Sequence, residues 1–197
     1  MRVSRAQAAE NRERIIEVAA KLFRERGFDG IGVAELMKAA GLTHGGFYGN
    51  FASKEELMAH ACAHALKESL ETLQNAVECG GENVLSAVAS AYLSPAHRDR
   101  PGAGCTLAAL GAEAARHDSL VRGTFTQGVR SVVDILIRLL PGKSKRAKRE
   151  RALTIYASMV GAMVLARAVD DAELSEDVLQ SVLASITLPN SPSATQR

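Results

Sequence analysis

Two small groups of residues have the types and spacing to do chemistry. The first centres on Cys105, which follows Pro101–Gly102–Ala103–Gly104 and has His97, Arg98 and Arg100 close by in sequence. A helix is expected to start at this cysteine, so its thiol would meet backbone N–H groups that have no partner inside the helix. That position, with cations nearby, favours the thiolate. Cys105 is therefore a candidate sensor of an electrophile or oxidant. The competing reading is a small buried apolar residue, a common use of cysteine. The second group is His60 and His64, one helical turn apart and so able to share a metal. The sequence supplies no third ligand beside them, and a packed or solvated pair is the plainer reading. Cys62, Cys79 and Cys105 are scattered and form no C-x-x-C, so no metal site and no cofactor are expected. No nucleophile–base pair and no glycine-rich phosphate loop is present, so no catalytic residue is assigned.

The stretch that organises the rest is VAELMKAAGLTHGGFYGNFASKEEL, residues 33–57. Val33, Leu36, Met37 and Ala40 recur at helical spacing. Gly41 suits the left-handed residue that ends a helix. Thr43 is a good N-cap for a short helix running to Phe51, with Phe47 and Phe51 inward. Ser53 and Glu56 form a capping box for a third helix. Two helices joined by a short glycine-containing turn make a helix-turn-helix. The short second helix carries Gly45, Gly46 and Gly49, at a cost of about 1 kcal/mol each relative to alanine. A close approach to a DNA backbone would account for them.

Residues 10–60 resemble the N-terminal DNA-binding domain of the TetR family of bacterial transcriptional regulators. The resemblance rests on Gly27, Phe28, Val33, Ala40, Gly41, Leu42, Thr43, Gly45, Phe47, Tyr48, Phe51, Lys54 and Leu57. Two residues depart from the family pattern. Gly32 stands where Ser or Thr is usual, which removes a helix cap and one phosphate contact. Asn50 stands where His is usual and keeps a polar donor. The resemblance implies that Thr43, Tyr48 and Lys54 contact phosphates and that His44 and Gly45 face bases, with Asn50 beside them. Thr43 lies at a positive helix end and Lys54 at another, which suits anions. Few base contacts are available to so glycine-rich a helix, so DNA shape is expected to carry part of the specificity.

The 197 residues are 47% hydrophobic and only 4% aromatic, with no Trp. Such a composition fits helices packed through Ala, Leu and Val. Net charge is +2, so DNA affinity must come from a local patch. No apolar run is long enough to span a membrane, and the start has no signal-peptide core. A cytoplasmic location is expected.

In chain order, a basic arm at 1–9 with Arg2 and Arg5 precedes a helix at 6–26 ended by Gly27. The helix opened by Ser53 runs long, to Gly80–Gly81, and would act as a lever. A helix at 83–93, a Pro/Gly-rich loop at 94–104, a helix at 105–116 and one capped by Asp118 and running to Leu140 follow. The basic run KSKRAKRER, residues 143–151, reads as a solvated loop and first helical turn, with a second nucleic-acid patch as the less favoured reading. An apolar helix at 152–169, with the small residues Ala157, Gly161 and Ala162, precedes a last helix at 176–186. The resemblance implies that these two pair across a dimer two-fold; their apolar faces would equally serve as monomer core.

The expected fold is all-α: a three-helix helix-turn-helix head at 1–52, a helical effector-binding and dimerisation domain at 53–188, and a disordered tail at 189–197. The expected function is a homodimeric transcriptional repressor on a palindromic operator of double-stranded DNA, released by a small molecule or a reactive electrophile or oxidant. The alternatives are an effector-independent DNA-binding dimer and, least supported, a helical enzyme.

Overall fold

The computed structural model describes residues 4–79, 81 and 83–187. The arm's Arg2, the glycine Gly80 and the tail at 189–197 lie outside them. Among the described residues the chain forms helices and turns with no strand, and no helix is long and apolar enough to cross a membrane.

The head begins with α1, Arg5–Arg26, capped by the Ser4 hydroxyl, which accepts from Gln7 N at 3.1 Å. Arg5 is thus the first helical residue rather than part of an arm. The helix ends at Gly27 with φ 78°, a conformation that glycine adopts without a Cβ clash. Phe28 folds back beyond it and meets Phe23 edge to face, with ring centroids 5.4 Å apart. Helix α2 is Val33–Ala39, and Gly41 turns the chain with φ 72°. The next segment, His44–Gly49, is a 3-10 helix, and the Thr43 side chain makes no cap bond. Glycine-rich sequence gives little reason to hold an α-helical turn, and the tighter i→i+3 pattern suffices for so short a piece. Phe47 and Phe51 are both buried, as their spacing requires.

Helix α3, Lys54–Cys79, is the axis of the molecule. Its N-terminus is a variant of the capping box. The Glu56 N–H donates to Ser53 Oγ at 3.1 Å, while the Glu56 carboxylate accepts from Ala52 N rather than Ser53 N, at 2.7 Å. One side of α3 packs on α1 and another on α7, Ser119–Leu139.

The body adds α4, Val84–Tyr92; α5, Pro95–Arg98; α6, Thr106–Ala114; α8, Lys145–Ala168; and α9, Ala172–Thr187. Three boundaries differ from the sequence reading, each through a cap. The stretch expected as loop at 94–104 contains α5 and a 3-10 turn at Pro101–Ala103, because Ser94 caps α5 and a proline opens each piece. Proline's fixed φ suits a first helical position. Helix α8 starts inside the basic run, where Ser144 accepts from Ala147 N and Arg146 pairs with Glu150 at 2.8 Å. Helix α9 starts early because Asp171 accepts from Glu173 N and Leu174 N, at 2.9 and 3.0 Å.

Two apolar cores result. One joins α1, α2, the 3-10 helix and the start of α3, and extends to Leu110 and Ala114 of α6 and to Val121 and Phe125 of α7. The other is shared by α4, α7, α8 and α9. The first core therefore runs across the 52/53 boundary. Each fully buried Phe or Leu in it contributes about 1.5–3 kcal/mol, so the head is held to the body by packing as well as by chain connection.

Candidate functional site

The outward face of the 3-10 helix is the first surface of interest. Tyr48 is 70% exposed, the largest exposure among the big hydrophobic side chains. Thr43, His44 and Gly45 are exposed beside it, and the His44 and Tyr48 rings meet edge to face at 6.5 Å. A Cβ added at Gly45 or Gly49 would meet nothing within 4 Å. Neither glycine has a positive φ. No described residue therefore requires glycine at these two positions.

Two of the expected DNA contacts have internal partners as well. Asn50 Nδ2 donates to Gly46 O at 2.7 Å, which anchors the end of the 3-10 helix. Lys54 Nζ donates to Phe28 O at 2.6 Å, tying the start of α3 to the turn after α1. An ammonium has three donors, so this bond still leaves Lys54 able to reach an anion. Behind the face, the Arg12 guanidinium lies 4.6 Å over the Phe51 ring and 3.4 Å from Glu56. This fixes α1 against the start of α3.

The second surface is internal. A cavity of about 1310 Å³ opens between α1, α3, α4, the 94–104 segment, α7 and α8. Its apolar wall includes Leu73, Val84, Val88, Val132, Leu136 and Met159, and its polar end carries Cys105, Tyr92 and Tyr156. Cys105 is the N-cap residue of α6, and its thiol caps nothing. The sequence pointed to His97, Arg98 and Arg100 as its cationic surroundings, and the structure corrects this. His97 Nδ1 lies 2.6 Å from Tyr92 O, and Cys105 N donates to His97 Nε2 at 2.9 Å. One ring nitrogen must donate and the other accept, so the ring is neutral. Burial lowers its pKa; the bond to Tyr92 O opposes this, and the Arg167 charge adds to it. Arg98 is turned to Asp99 and to Ser175 Oγ, at 2.8 and 3.0 Å. The cations whose charge reaches Cys105 are instead Arg24 and Arg167. Both come from helices remote in sequence, which is why spacing could not reveal them. The other described free cysteine, Cys62, is buried. Burial pushes its pKa to about 12, with Arg24 opposing, and a neutral buried thiol is unreactive.

Both ends of α6 reach the head. At its start, Arg24 Nη1 donates to Gly104 O at 3.1 Å, and a Cβ at Gly102 would collide with Glu25. At its end, Phe28 N donates to the Glu113 carboxylate at 2.7 Å, and His117 Nδ1 lies 2.8 Å from Glu55 Oε1. His117 also packs edge to face on Phe28, at 4.9 Å. The helix that carries Cys105 at the cavity is thus bonded to the head at the turn after α1.

His60 and His64 do not converge on a metal. His60 faces Glu56 at 3.6 Å, and His64 faces Glu13 and Glu68 at 3.3 and 3.5 Å. Glu13, Glu17 and His64 bring ligating atoms within 4.8 Å of one another. The two carboxylates come from α1, a helix the i,i+4 pattern on α3 could not include. Both carboxylates are exposed, and of the two only Glu13 pairs with the histidine.

A helix-turn-helix head on an all-helical body defines a class, the DNA-binding transcriptional regulator. Comparison with known proteins shows what the chain is similar to. Residues 15–61 match the model of bacterial regulatory proteins of the tetR family. The HTH-type transcriptional repressor NemR of Escherichia coli K12 is 25% identical over 190 residues, 91% of this chain and 96% of its own. The uncharacterized HTH-type transcriptional regulator YerO of Bacillus subtilis is 35% identical over 69 residues, a match that spans only 24% of that protein. Among solved structures, E. coli NemR in its reduced form superposes with a TM-score of 0.76 at 23% identity, covering 90% of this chain and 95% of that one. A TetR regulator from Chloroflexus aurantiacus reaches 0.75 at 25% identity, covering 92% and 96%. The head at residues 15–61 is thus a tetR-family DNA-binding domain, and the chain as a whole is similar to TetR-type transcriptional regulators.

Proposed function

We propose that this regulator is a homodimeric repressor. It reads a palindromic operator with the His44–Gly49 segment, and an effector that enters the Cys105 cavity releases it. The observation that carries the DNA half is the pair of unconstrained glycines beside the exposed Tyr48. In this reading Thr43, Tyr48 and Lys54 hold phosphates, His44 and Gly45 lie against base edges, and Asn50 braces the segment. Residues 1–52 serve as the head and 53–188 as the effector and dimer part. Support for a dimer comes from α8 and α9. Leu153, Val164, Leu165 and Leu174 are 40–56% exposed, and nothing in the chain lies within 4 Å of a Cβ at Gly161. An apolar face with a small residue at its centre suits a second helix at close range. Two-fold symmetry then requires half-sites about one DNA turn apart, roughly 34–36 Å.

The effector half rests on the cavity and on α6, which is bonded to the head at both ends. An effector that binds one dimer conformation better than the other shifts the population between them. A reagent that modifies Cys105 would act through the same helix. The test is selection of bound DNA from genomic fragments, followed by operator binding of wild type and Cys105→Ser with and without an electrophile. Recovery of a palindrome bound by two chains is expected. Fragments without symmetry overturn the dimer reading, and equal release of wild type and Cys105→Ser removes Cys105 as the switch.

A further inference from the structure

We propose that the effector is an apolar molecule bearing a neutral carbonyl oxygen, and that the Tyr92 hydroxyl in the Cys105 cavity is the donor that receives it. This rests on the effector reading above and names the chemistry of that site.

The Tyr92 hydroxyl is buried, with only the weakly bonding Cys105 thiol as a neighbour and no other hydrogen-bond partner. Such a group costs free energy unless something satisfies it. It is not free to turn away. Tyr92 O receives His97 Nδ1 at 2.6 Å, and the Tyr92 ring stacks edge to face on His97 at 4.5 Å. Beside it stand Cys105 and the Tyr156 hydroxyl, both lining the same cavity. Burial raises the pKa of both tyrosines, so both hydroxyls stay protonated. The polar end thus presents two O–H groups and the Cys105 sulfur, with much of the remaining wall apolar. A molecule that fits it ends in an acceptor and is otherwise hydrocarbon.

The acceptor is neutral because the donor at this subsite, the Tyr92 hydroxyl, is itself neutral. Arg24 spends Nε on Ala20 O and Nη1 on Gly104 O. Arg167 spends Nε on Arg98 O and Nη2 on His97 O. The Nε edge of both arginines is thus held by carbonyls, but Arg167 Nη1 is buried without a partner and Arg100 also lines the cavity, so a carboxylate that binds more tightly than a ketone would report these cations and not Tyr92. One hydroxyl is then enough for a ketone and too little for an anion leaving water.

The experiment uses the full chain and three probes of one shape: 2-acetylnaphthalene, 2-isopropenylnaphthalene and 2-naphthoate. Dissociation constants are measured on wild type and Tyr92→Phe, with the melting temperature of each protein. None of the probes alkylates a thiol, so Cys105 chemistry does not intervene. The ketone is expected to bind wild type about three- to tenfold more tightly than the alkene, the worth of one neutral hydrogen bond. That preference should vanish in Tyr92→Phe, whose melting temperature should equal or exceed that of wild type, since an unsatisfied hydroxyl has been removed. Equal binding of ketone and alkene to wild type overturns the carbonyl subsite and leaves the effector reading standing. So does a preference that survives in Tyr92→Phe, a tighter carboxylate, or a variant that melts lower. Binding of none of the three overturns both.

Discussion

The His44–Gly49 segment and the Cys105 cavity are built in opposite ways. The segment is short, continuous in sequence and satisfied locally: Asn50 closes it on Gly46, and Phe47 and Phe51 anchor it. Its outer residues make almost no demands on the rest of the chain. The cavity is assembled from six separate stretches and holds groups with unmet demands, Tyr92 among them. An exposed surface can be written in one run of residues. A cavity needs walls from several elements, and only packing supplies those.

Helix α6 and the turn after α1 are where the two regions meet, and the largest expected effect lies there. Glu113→Ala leaves Phe28 N without its charged acceptor, at a cost of about 1.5–3 kcal/mol. Thermal unfolding should show the loss, and operator binding should also weaken because α6 no longer holds the head. An unchanged melting temperature would show that the two regions are not coupled at this bond.

Next comes Tyr48→Phe, which keeps the ring and removes the hydroxyl. A phosphate bond lost there costs about 1–2 kcal/mol in operator binding, with stability unchanged because Tyr48 is exposed. If affinity holds, the ring alone matters. Gly45→Ala separates the two kinds of constraint most cleanly. It should stabilise the free protein by up to about 1 kcal/mol, since a Cβ there meets nothing. It should also weaken operator binding by placing a methyl group against the DNA. Tighter or equal binding would mean that Gly45 does not face the duplex.

The smallest effect sharpens the cavity side. His97 has its pKa lowered mainly by burial, so its neutral form is the one the fold stabilises. The unfolded chain takes up the proton near pH 6.5 while the folded one resists it. Stability from this residue is therefore full above that pH and is lost as pH falls below it. Unfolding free energy measured between pH 7.5 and 5.5 should fall less steeply in His97→Gln than in wild type. Parallel slopes would mean that His97 keeps an ordinary pKa.

Much of the chain was legible from local rules. Gly27 and Gly41 at positive φ, the Asp118 cap and the buried Phe47 and Phe51 all follow from residue type and spacing. The boundaries that moved did so through caps read too weakly, Ser94, Ser144 and Asp171. The cavity was legible only as Cys105. Two of the three tyrosines in a chain so poor in aromatics turn out to flank it, a scarcity that could have drawn attention to them.

By itself the sequence determined the helix-turn-helix and the surface that Tyr48 and its neighbours present, because each rests on contacts within a few residues. The tertiary structure alone decided which charges stand near Cys105, that His97 is spent on Tyr92 and the Cys105 backbone, and that the Tyr92 hydroxyl is left with no partner beyond the Cys105 thiol. Those are distances between α1, α4, α6 and α8, set by how the helices pack, and spacing along one helix does not encode them.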